Sequence, residues 1–182
     1  PIAPTMSEDF GDVEAWTRLV DPPEVNQFVM RAGNRTFYET KGFYVDSTFF
    51  KVFDFPFAAG GRDKCMDDPF TVVLTLPVAE KLFGNAQNAV GQNLTIDNRF
   101  GKHEFRVTGV VDHSAGKSHI NGHFYLSMRS GAIGEFVIPN RSFAAQNFVY
   151  GYVKLFPKTD VAALEAKLPA FMEKHGGDQL RA

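Results

Sequence analysis

Apolar residues recur along this chain at two spacings, one typical of strands and one typical of helices. Strand-like segments are residues 25–30, 36–38, 43–45, 72–74, 124–126 and 148–156, with a Gly33-Asn34 turn between the first two. Residues 94–111 alternate apolar and polar positions on two arms around the polar turn 98–102. This alternation predicts an antiparallel hairpin.

Capping residues and apolar spacing predict several short helices. Ser7 precedes a predicted helix 8–16 whose first turn is acidic, and prolines 22 and 23 end any helix there. Residues 48–53 follow Ser47 and place three phenylalanines on one side: Phe49, Phe50 and Phe53. Residues 78–83 follow Thr75 as N-cap and Pro77 in the first turn, and Gly84 ends that helix.

The C-terminal segment predicts one more helix, beginning at Asp160, extending to residue 175 and kinked at Pro169. Its apolar face consists of Val161, Leu164, Leu168, Phe171 and Met172. Residues 114–122 read as a loop, and residues 130–147 show no period from which an element can be predicted.

Composition and charge exclude several classes of protein. The 182 residues carry 19 Lys+Arg against 21 Asp+Glu, a formal net charge of -2, and 44% hydrophobic residues, which is an ordinary globular mixture. A chain without a basic excess is unsuited to nucleic-acid binding by phosphate neutralisation, so we expect no nucleic-acid partner. A single cysteine, Cys65, excludes an internal disulfide framework and a multi-cysteine zinc site within one chain.

No apolar run reaches membrane-spanning length, and residues 1–4 lack both an initiator methionine and the features of a signal peptide. We therefore expect the sequence to be an excerpt of a longer protein, in which other segments carry the membrane spans or the catalytic machinery.

Motifs that could carry chemistry are weak. Gly116-Lys117-Ser118 resembles half of a phosphate-binding loop, but the first glycine of that motif is replaced by Val111, and a poor helix start follows. We predict that the domain neither binds nor hydrolyses ATP at this loop.

Three histidines, His113, His119 and His123, crowd one region, but their spacing does not place two of them on one helical face. We predict no bound catalytic metal there.

Asp112-His113-Ser114 has the residue types of a catalytic triad without its geometry, and nothing near Cys65 supplies a base. We thus predict no catalytic, cofactor-binding or metal-binding residue.

An ordered series of motifs resembles the periplasmic core domain of MacB-like ABC transporter permeases, the FtsX-like family. The series is VVLTLPVAEKLFG at 72–84, VGQNLTID at 90–97 and FRVTGVVD at 105–112. The aromatic segment 43–57 and the closing segment 164–172 also fit that family. Together these segments extend the resemblance over about residues 9–175, with 130–147 unmatched.

The resemblance implies an α+β fold with a porter-like subdomain of mixed sheet and helices, split in sequence, and a smaller inserted β-rich subdomain. We expect residues 1–64 with 148–182 to form the first and residues 65–147 the second. It further implies a non-catalytic, cofactor-free domain on the periplasmic side of the bacterial inner membrane.

The implied partners are the permease's transmembrane helices, a cytoplasmic ATPase subunit or domain, a periplasmic adaptor or substrate protein, and a second permease in a dimer. In such transporters the domain couples cytoplasmic ATP hydrolysis to periplasmic export or extraction. The residues also leave open a periplasmic solute-binding, peptide-binding or sensor domain, and a hydrolase that uses the region from Asp112 to His123. A cleft lined by phenylalanines would favour the binding domain. A hydrogen bond between one of the histidines and a serine would favour the hydrolase.

Overall fold

The computed structural model describes residues 1–115, 118–144 and 148–181. Within them the strands are β1 Val13–Val20, β2 Phe28–Ala32, β3 Arg35–Glu39, β4 Gly42–Val45, β5 Phe57–Gly60, β6 Thr71–Thr75, β7 Asn93–Asn98, β8 Gly101–Val111, β9 Phe124–Ser127 and β10 Val149–Leu155. The helices are α1 Ile2–Asp9, α2 Phe49–Val52, α3 Leu76–Phe83, α4 Ala86–Ala89, α5 Gly131–Val137, α6 Val161–Glu165 and α7 Leu168–Arg181, and His113–Ala115 forms a 3₁₀ turn.

The described strands form one mixed sheet in the order β10-β1-β4-β9-β6-β8-β7-β2-β3, with β5 paired to β8 off this path. The β4–β9 and β6–β8 pairs are parallel, and the other pairs are antiparallel. This is the expected α+β architecture with a mixed sheet. Strands from both predicted subdomains pair with each other, as β4 does with β9 and β2 with β7. The division into two subdomains stays a prediction.

Alternating side chains of the central strands fill two cores on opposite faces of the sheet. In β6, Val72 and Leu74 enter one core, which α3, α4 and α5 cover, whereas Val73 enters the other, which α2 covers. A third, smaller cluster holds α1, α6 and α7 together around Phe10, Leu164 and Phe171. No helix within the described residues is long and apolar enough to cross a membrane.

The locally encoded predictions are confirmed. Strands β7 and β8 pair antiparallel from Asn93↔Arg106 to Asn98↔Gly101, which is the expected hairpin. Helix α3 has Thr75 as its N-cap residue and ends at Gly84, whose φ of 89° lies in the left-handed region that glycine tolerates.

The predicted helix 8–16 is wrong. The first helix ends at Asp9, and the chain from Val13 to Val20 is strand β1, paired with β10 along its length and with β4 at its end. Val13, Trp16 and Val20 match a helical spacing by coincidence. The consecutive buried residues that end at Val20 fit a strand covered on both faces. Neighbouring strands pair with β1 on both sides there, and this pairing satisfies its backbone hydrogen-bonding groups.

The C-terminal helix and the segment 130–147 also differ from expectation. The predicted single helix is interrupted between α6 and α7, with Pro169 as the second residue of α7, where proline is tolerated. Leu164 and Phe171 are buried as predicted, but Val161 is exposed. Segment 130–147 contains α5, whose Ile133 and Val137 enter the core.

We predict that Gly134→Ala lowers the free energy of unfolding by about 1–3 kcal/mol, the usual cost of overpacking. Helix α5 packs so closely on the chain before it that a Cβ at Gly134 would overlap the carbonyl oxygen of Met128. Urea denaturation measures the effect. Gly11→Ala is the matched control, since a Cβ there meets no atom within 4 Å and its cost is expected within about 0.5 kcal/mol. Equal stability of the two variants would contradict the close packing.

Candidate functional site

Two of the three histidines are held by separate tyrosines. His113 Nε2 lies 3.3 Å from Tyr125 Oη, and the imidazole stacks on Phe55 with ring centroids 4.6 Å apart. His119 Nε2 lies 3.2 Å from Tyr152 Oη. Burial lowers the pKa of His113 from its usual value, which favours a neutral, packed ring.

His123 binds a carboxylate. Its Nδ1 lies 3.0 Å from Glu39 Oε2, and the other oxygen of this nearly buried carboxylate accepts a hydrogen bond from Lys81 Nζ at 2.5 Å. These bonds join the end of β3 to α3 and to the start of β9. Within the described part of the chain, no three histidine, cysteine or acidic side chains are grouped so as to hold a metal ion.

Asp112, His113 and Ser114 lack the acid–histidine–serine order of hydrogen bonds that a hydrolase triad requires. Hydrogen bonds from the backbone and side chain of Ser114 hold the pKa of Asp112 below its usual value, and the backbone bond measures 2.8 Å. Ser114 thus bonds the acid through its backbone N–H, whereas His113 contacts Tyr125. Gly116 and Lys117 lie outside the described residues, and Ser118 Oγ accepts from the Ile120 backbone N–H.

Cys65 is buried beside the sheet, and its Sγ lies 3.2 Å from the carbonyl oxygen of Arg62. Burial raises the pKa of this thiol to about 12, so the reactive thiolate is scarce at neutral pH.

We predict that native Cys65 resists alkylation. At pH 8 a thiol with a pKa of about 12 is ionised in about one molecule in ten thousand. Iodoacetamide labelling followed by mass spectrometry should give little product on the native domain and complete reaction in urea. Native labelling as fast as that of the unfolded chain would show that Cys65 is accessible and ionised.

Aromatic side chains around α2 form a packed cluster rather than an open surface. Phe49 and Phe50 are buried at 0% and 1% exposure, and their rings meet edge to face at 5.0 Å. Tyr125 from β9 contacts both rings, and partly buried neighbours complete the group: Phe43, Phe53, Phe55, Phe57 and Tyr152. Phe49 and Phe50, two of the three phenylalanines that the sequence places on one side of this helix, therefore belong to the core.

A buried ion pair, the Arg18–Asp46 clamp, was not found by sequence reasoning. Arg18 on β1 donates from Nε and Nη2 to the two carboxylate oxygens of Asp46, both at 2.9 Å, and the Arg18 backbone N–H adds a bond of 2.8 Å. The two side chains are only 8% and 12% exposed. Arg18 Nη1 also donates to the carbonyl oxygen of Val137, so the clamp joins β1, the end of β4 and the end of α5.

Helices α1, α6 and α7, which we call the terminal helix unit, pack together beside β1 and β10. The rings of Phe10 and Phe171 lie 5.3 Å apart, and the Asp9 carboxylate accepts from Lys174 Nζ at 2.8 Å and His175 Nε2 at 2.7 Å. These bonds hold the pKa of Asp9 below its usual value. Ala3 of α1 lies against Gly151 of β10.

The contacts between α1 and α7 lie at the end of α1. Phe10, directly after that helix, meets Phe171, and Asp9, its last residue, meets His175 one turn further along α7. Gln179, near the end of α7, accepts a hydrogen bond from the Phe143 backbone N–H.

A cavity with a volume of about 580 Å³ opens on one side of the sheet's loops. It lies between the loops that follow β1 and β3 and the start of β10. Three aromatic side chains and several polar groups line it: Phe43, Phe148, Tyr150, Asp21, Lys41 and Asn121.

Residues 3–171 match the family of MacB-like periplasmic core domains. This chain belongs to that family. It is therefore a periplasmic domain of a transporter permease, in a family of domains that are generally non-enzymatic. No curated protein sequence matches the chain.

Two solved structures share the fold of this MacB-like domain. A domain of a permease-like protein from Porphyromonas gingivalis matches with a TM-score of 0.74 at 20% identity, over 96% of this chain and 76% of that one. The periplasmic region of MacB from Actinobacillus actinomycetemcomitans matches with a TM-score of 0.64 at 18% identity, over 94% and 71%. At these identities the likeness supports the architecture.

Proposed function

We propose that this domain couples ATP hydrolysis on the cytoplasmic side of a permease to export or extraction of a substrate on the periplasmic side. It acts by mechanical motion and partner binding, without catalysing a reaction. Membership in the MacB-like family supports the transporter context. The observation that carries the coupling role is the terminal helix unit, in which the end of the first described helix packs against the last one.

The contacts of the terminal helix unit define a path for force. Motion of α7 reaches α1 through Phe171 and Phe10. It reaches the sheet through the turn at 156–160, which joins α6 to β10, and through the packing of α1 on β1 and β10. From β1 the path continues through the Arg18–Asp46 clamp to the end of β4 and to α5. A closely packed interior transmits such displacement because it has few voids in which to absorb it.

The partners that we propose follow from the family. They are the transmembrane helices of the same permease, a cytoplasmic ATPase subunit or domain, and a second permease in a dimer. On the periplasmic side we propose an adaptor or a substrate protein.

The test is an insertion that loosens the path without unfolding the domain. Four residues, Gly-Ser-Gly-Ser, are added after Lys158, in the exposed turn that joins β10 to α6. Flexible insertions in surface turns cost little stability. In the full permease complex, transport should fall to near background while ATP hydrolysis stays measurable.

The matched control is the same insertion between Gly33 and Asn34, in the hairpin turn at the opposite edge of the sheet. It should leave transport close to that of the unmodified permease. Transport that persists after the insertion at Lys158, in a complex that is stably expressed, would reject the terminal helix unit as the coupling route.

The 580 Å³ cavity favours a second candidate, a periplasmic solute-binding, peptide-binding or sensor domain. Its three aromatic side chains and convergent polar groups are of the kind that line ligand pockets. Native mass spectrometry of the periplasmically expressed domain tests this. A bound small molecule that the Tyr150→Ser variant loses would support ligand binding, and an unliganded domain would favour the mechanical role.

A further inference from the structure

A smaller cavity of about 270 Å³ lies beside the Arg18–Asp46 clamp. It is separate from the 580 Å³ cavity and shares no lining residue with it. The residues that matter for its chemistry come from β1, from the chain after β4 and from both sides of α5: Trp16, Arg18, Ser47, Met128, Arg129 and Ile138.

Arg18 lines this cavity and has N–H groups without a partner among the described residues. A guanidinium carries five N–H groups, and the bonds to Asp46 and to the Val137 carbonyl use three of them. One N–H on each terminal nitrogen has no acceptor among the described residues. The Arg18 side chain is 8% exposed, so a donor left without a partner there costs free energy that a ligand oxygen would recover.

The net charge of the residues that line the cavity favours a ligand with a single negative charge. Asp46 neutralises Arg18, whereas Arg129 Nη1 donates to the main-chain carbonyl of Asp67 and forms no ion pair within the described residues. The lining residues therefore carry one uncompensated positive charge. A carboxylate matches this charge, a doubly charged phosphate exceeds it, and a cation is repelled.

The apolar lining residues and the volume of the cavity limit the polarity and the size of the group that carries the carboxylate. Trp16, Met128 and Ile138 provide apolar surface in the lining, with the Arg18 guanidinium 5.5 Å from the centre of the Trp16 ring, and Ile138 is 39% exposed. A cavity of about 270 Å³ is below the usual range for drug-sized ligands, which begins at about 300 Å³. One group of the size of an amino-acid residue fits.

We propose that this cavity binds a carboxylate carried by a single apolar group. Arg129 provides the charge, Arg18 the directed N–H donors, and Trp16 with Ile138 the apolar contact. Such a group is offered by a polypeptide chain that ends in an apolar residue or by a free small carboxylate. The site adds a ligand-binding role to the transporter domain and does not depend on the coupling mechanism.

The test is an NMR titration of the ¹⁵N-labelled domain with N-acetyl-L-leucine, and with N-acetyl-L-leucinamide as the uncharged analogue. The carboxylate should shift the Trp16 indole N–H and the Arg18 Nε–H signals, and the amide should bind about tenfold more weakly or worse. An acetylated Gly-Ala-Ala-Leu peptide with a free C-terminus identifies the source. Tighter binding than that of N-acetyl-L-leucine supports a chain terminus, and weaker binding supports a small carboxylate.

Arg129→Gln removes the charge but keeps a donor for the Asp67 carbonyl, and it should weaken N-acetyl-L-leucine binding about tenfold. Arg106→Gln, at an exposed arginine on β8 outside this cavity, is the matched control and should leave the affinity unchanged. Equal binding of acid and amide, shifts confined to other regions, or no shift at millimolar ligand would each overturn the proposal.

Discussion

Asp46→Ala is expected to lower the free energy of unfolding by about 3–5 kcal/mol, the range measured when one partner of a buried ion pair is removed. The Arg18 side chain, only 8% exposed in the native domain, would lose its counter-ion together with two hydrogen bonds of 2.9 Å. The Arg18 backbone N–H would also lose its acceptor. Urea denaturation followed by circular dichroism measures the change.

Two further variants separate burial from charge. Glu14→Ala breaks the exposed pair that Glu14 forms with Lys154, and it should cost only about 0–1 kcal/mol. The double variant Arg18→Met with Asp46→Leu replaces the clamp by apolar side chains and should recover much of the loss, because no buried charge is left unpaired. If Asp46→Ala were as mild as Glu14→Ala, the clamp would not be buried in solution.

Local signals in the sequence were enough for the segment 72–84 and for the hairpin 94–111. In the first, Thr75, Pro77 and Gly84 specify where a helix begins and ends within a few residues. In the second, alternation on both arms fixes the register around a short turn. This helix and this hairpin are determined by interactions between residues close in sequence, so a single sequence is enough to predict them.

Strand β1 and the clamp could not be found in this way. Arg18 pairs with Asp46, 28 residues away, and with the carbonyl of Val137, 119 residues away. An arginine followed by the apolar Leu19 and Val20 was the only signal, and the helical spacing of Trp16 and Val20 concealed it. Helix α5 was missed because tertiary packing under Gly134, rather than a periodic pattern, holds it in place.

In the candidate sites, too, the sequence reveals what residues close along the chain determine and misses what distant residues determine. Histidines 113, 119 and 123 are close in sequence, yet each bonds a different partner, Tyr125, Tyr152 and Glu39 respectively. Proximity along the chain was the only ground for grouping them. The ordered motifs at 72–84, 90–97 and 105–112 carried the family resemblance, because they describe the folding of strands and turns rather than the chemistry of a site.

Leu164→Pro in the full-length permease is expected to reduce transport to near background while ATP hydrolysis on the cytoplasmic part stays measurable. Proline at this position removes the backbone hydrogen bond from Leu164 to Asp160 and costs about 3 kcal/mol within a helix. It also withdraws a side chain that is 4% exposed from the cluster around Phe10 and Phe171. Helix α6 then no longer holds α7 against α1, and the path from the terminal helix unit to the sheet is broken.

Val161→Pro is the matched control, because it places the same residue in the same helix at a position that accepts it. Val161 is the first residue of α6, directly after the N-cap Asp160, and its side chain is 51% exposed. Proline there removes an N–H that has no partner within the helix and should leave transport nearly unchanged. Transport assays in vesicles, with ATP hydrolysis and expression measured in parallel, separate the outcomes. A stably expressed Leu164→Pro permease that transports as well as the Val161→Pro permease would reject this coupling route.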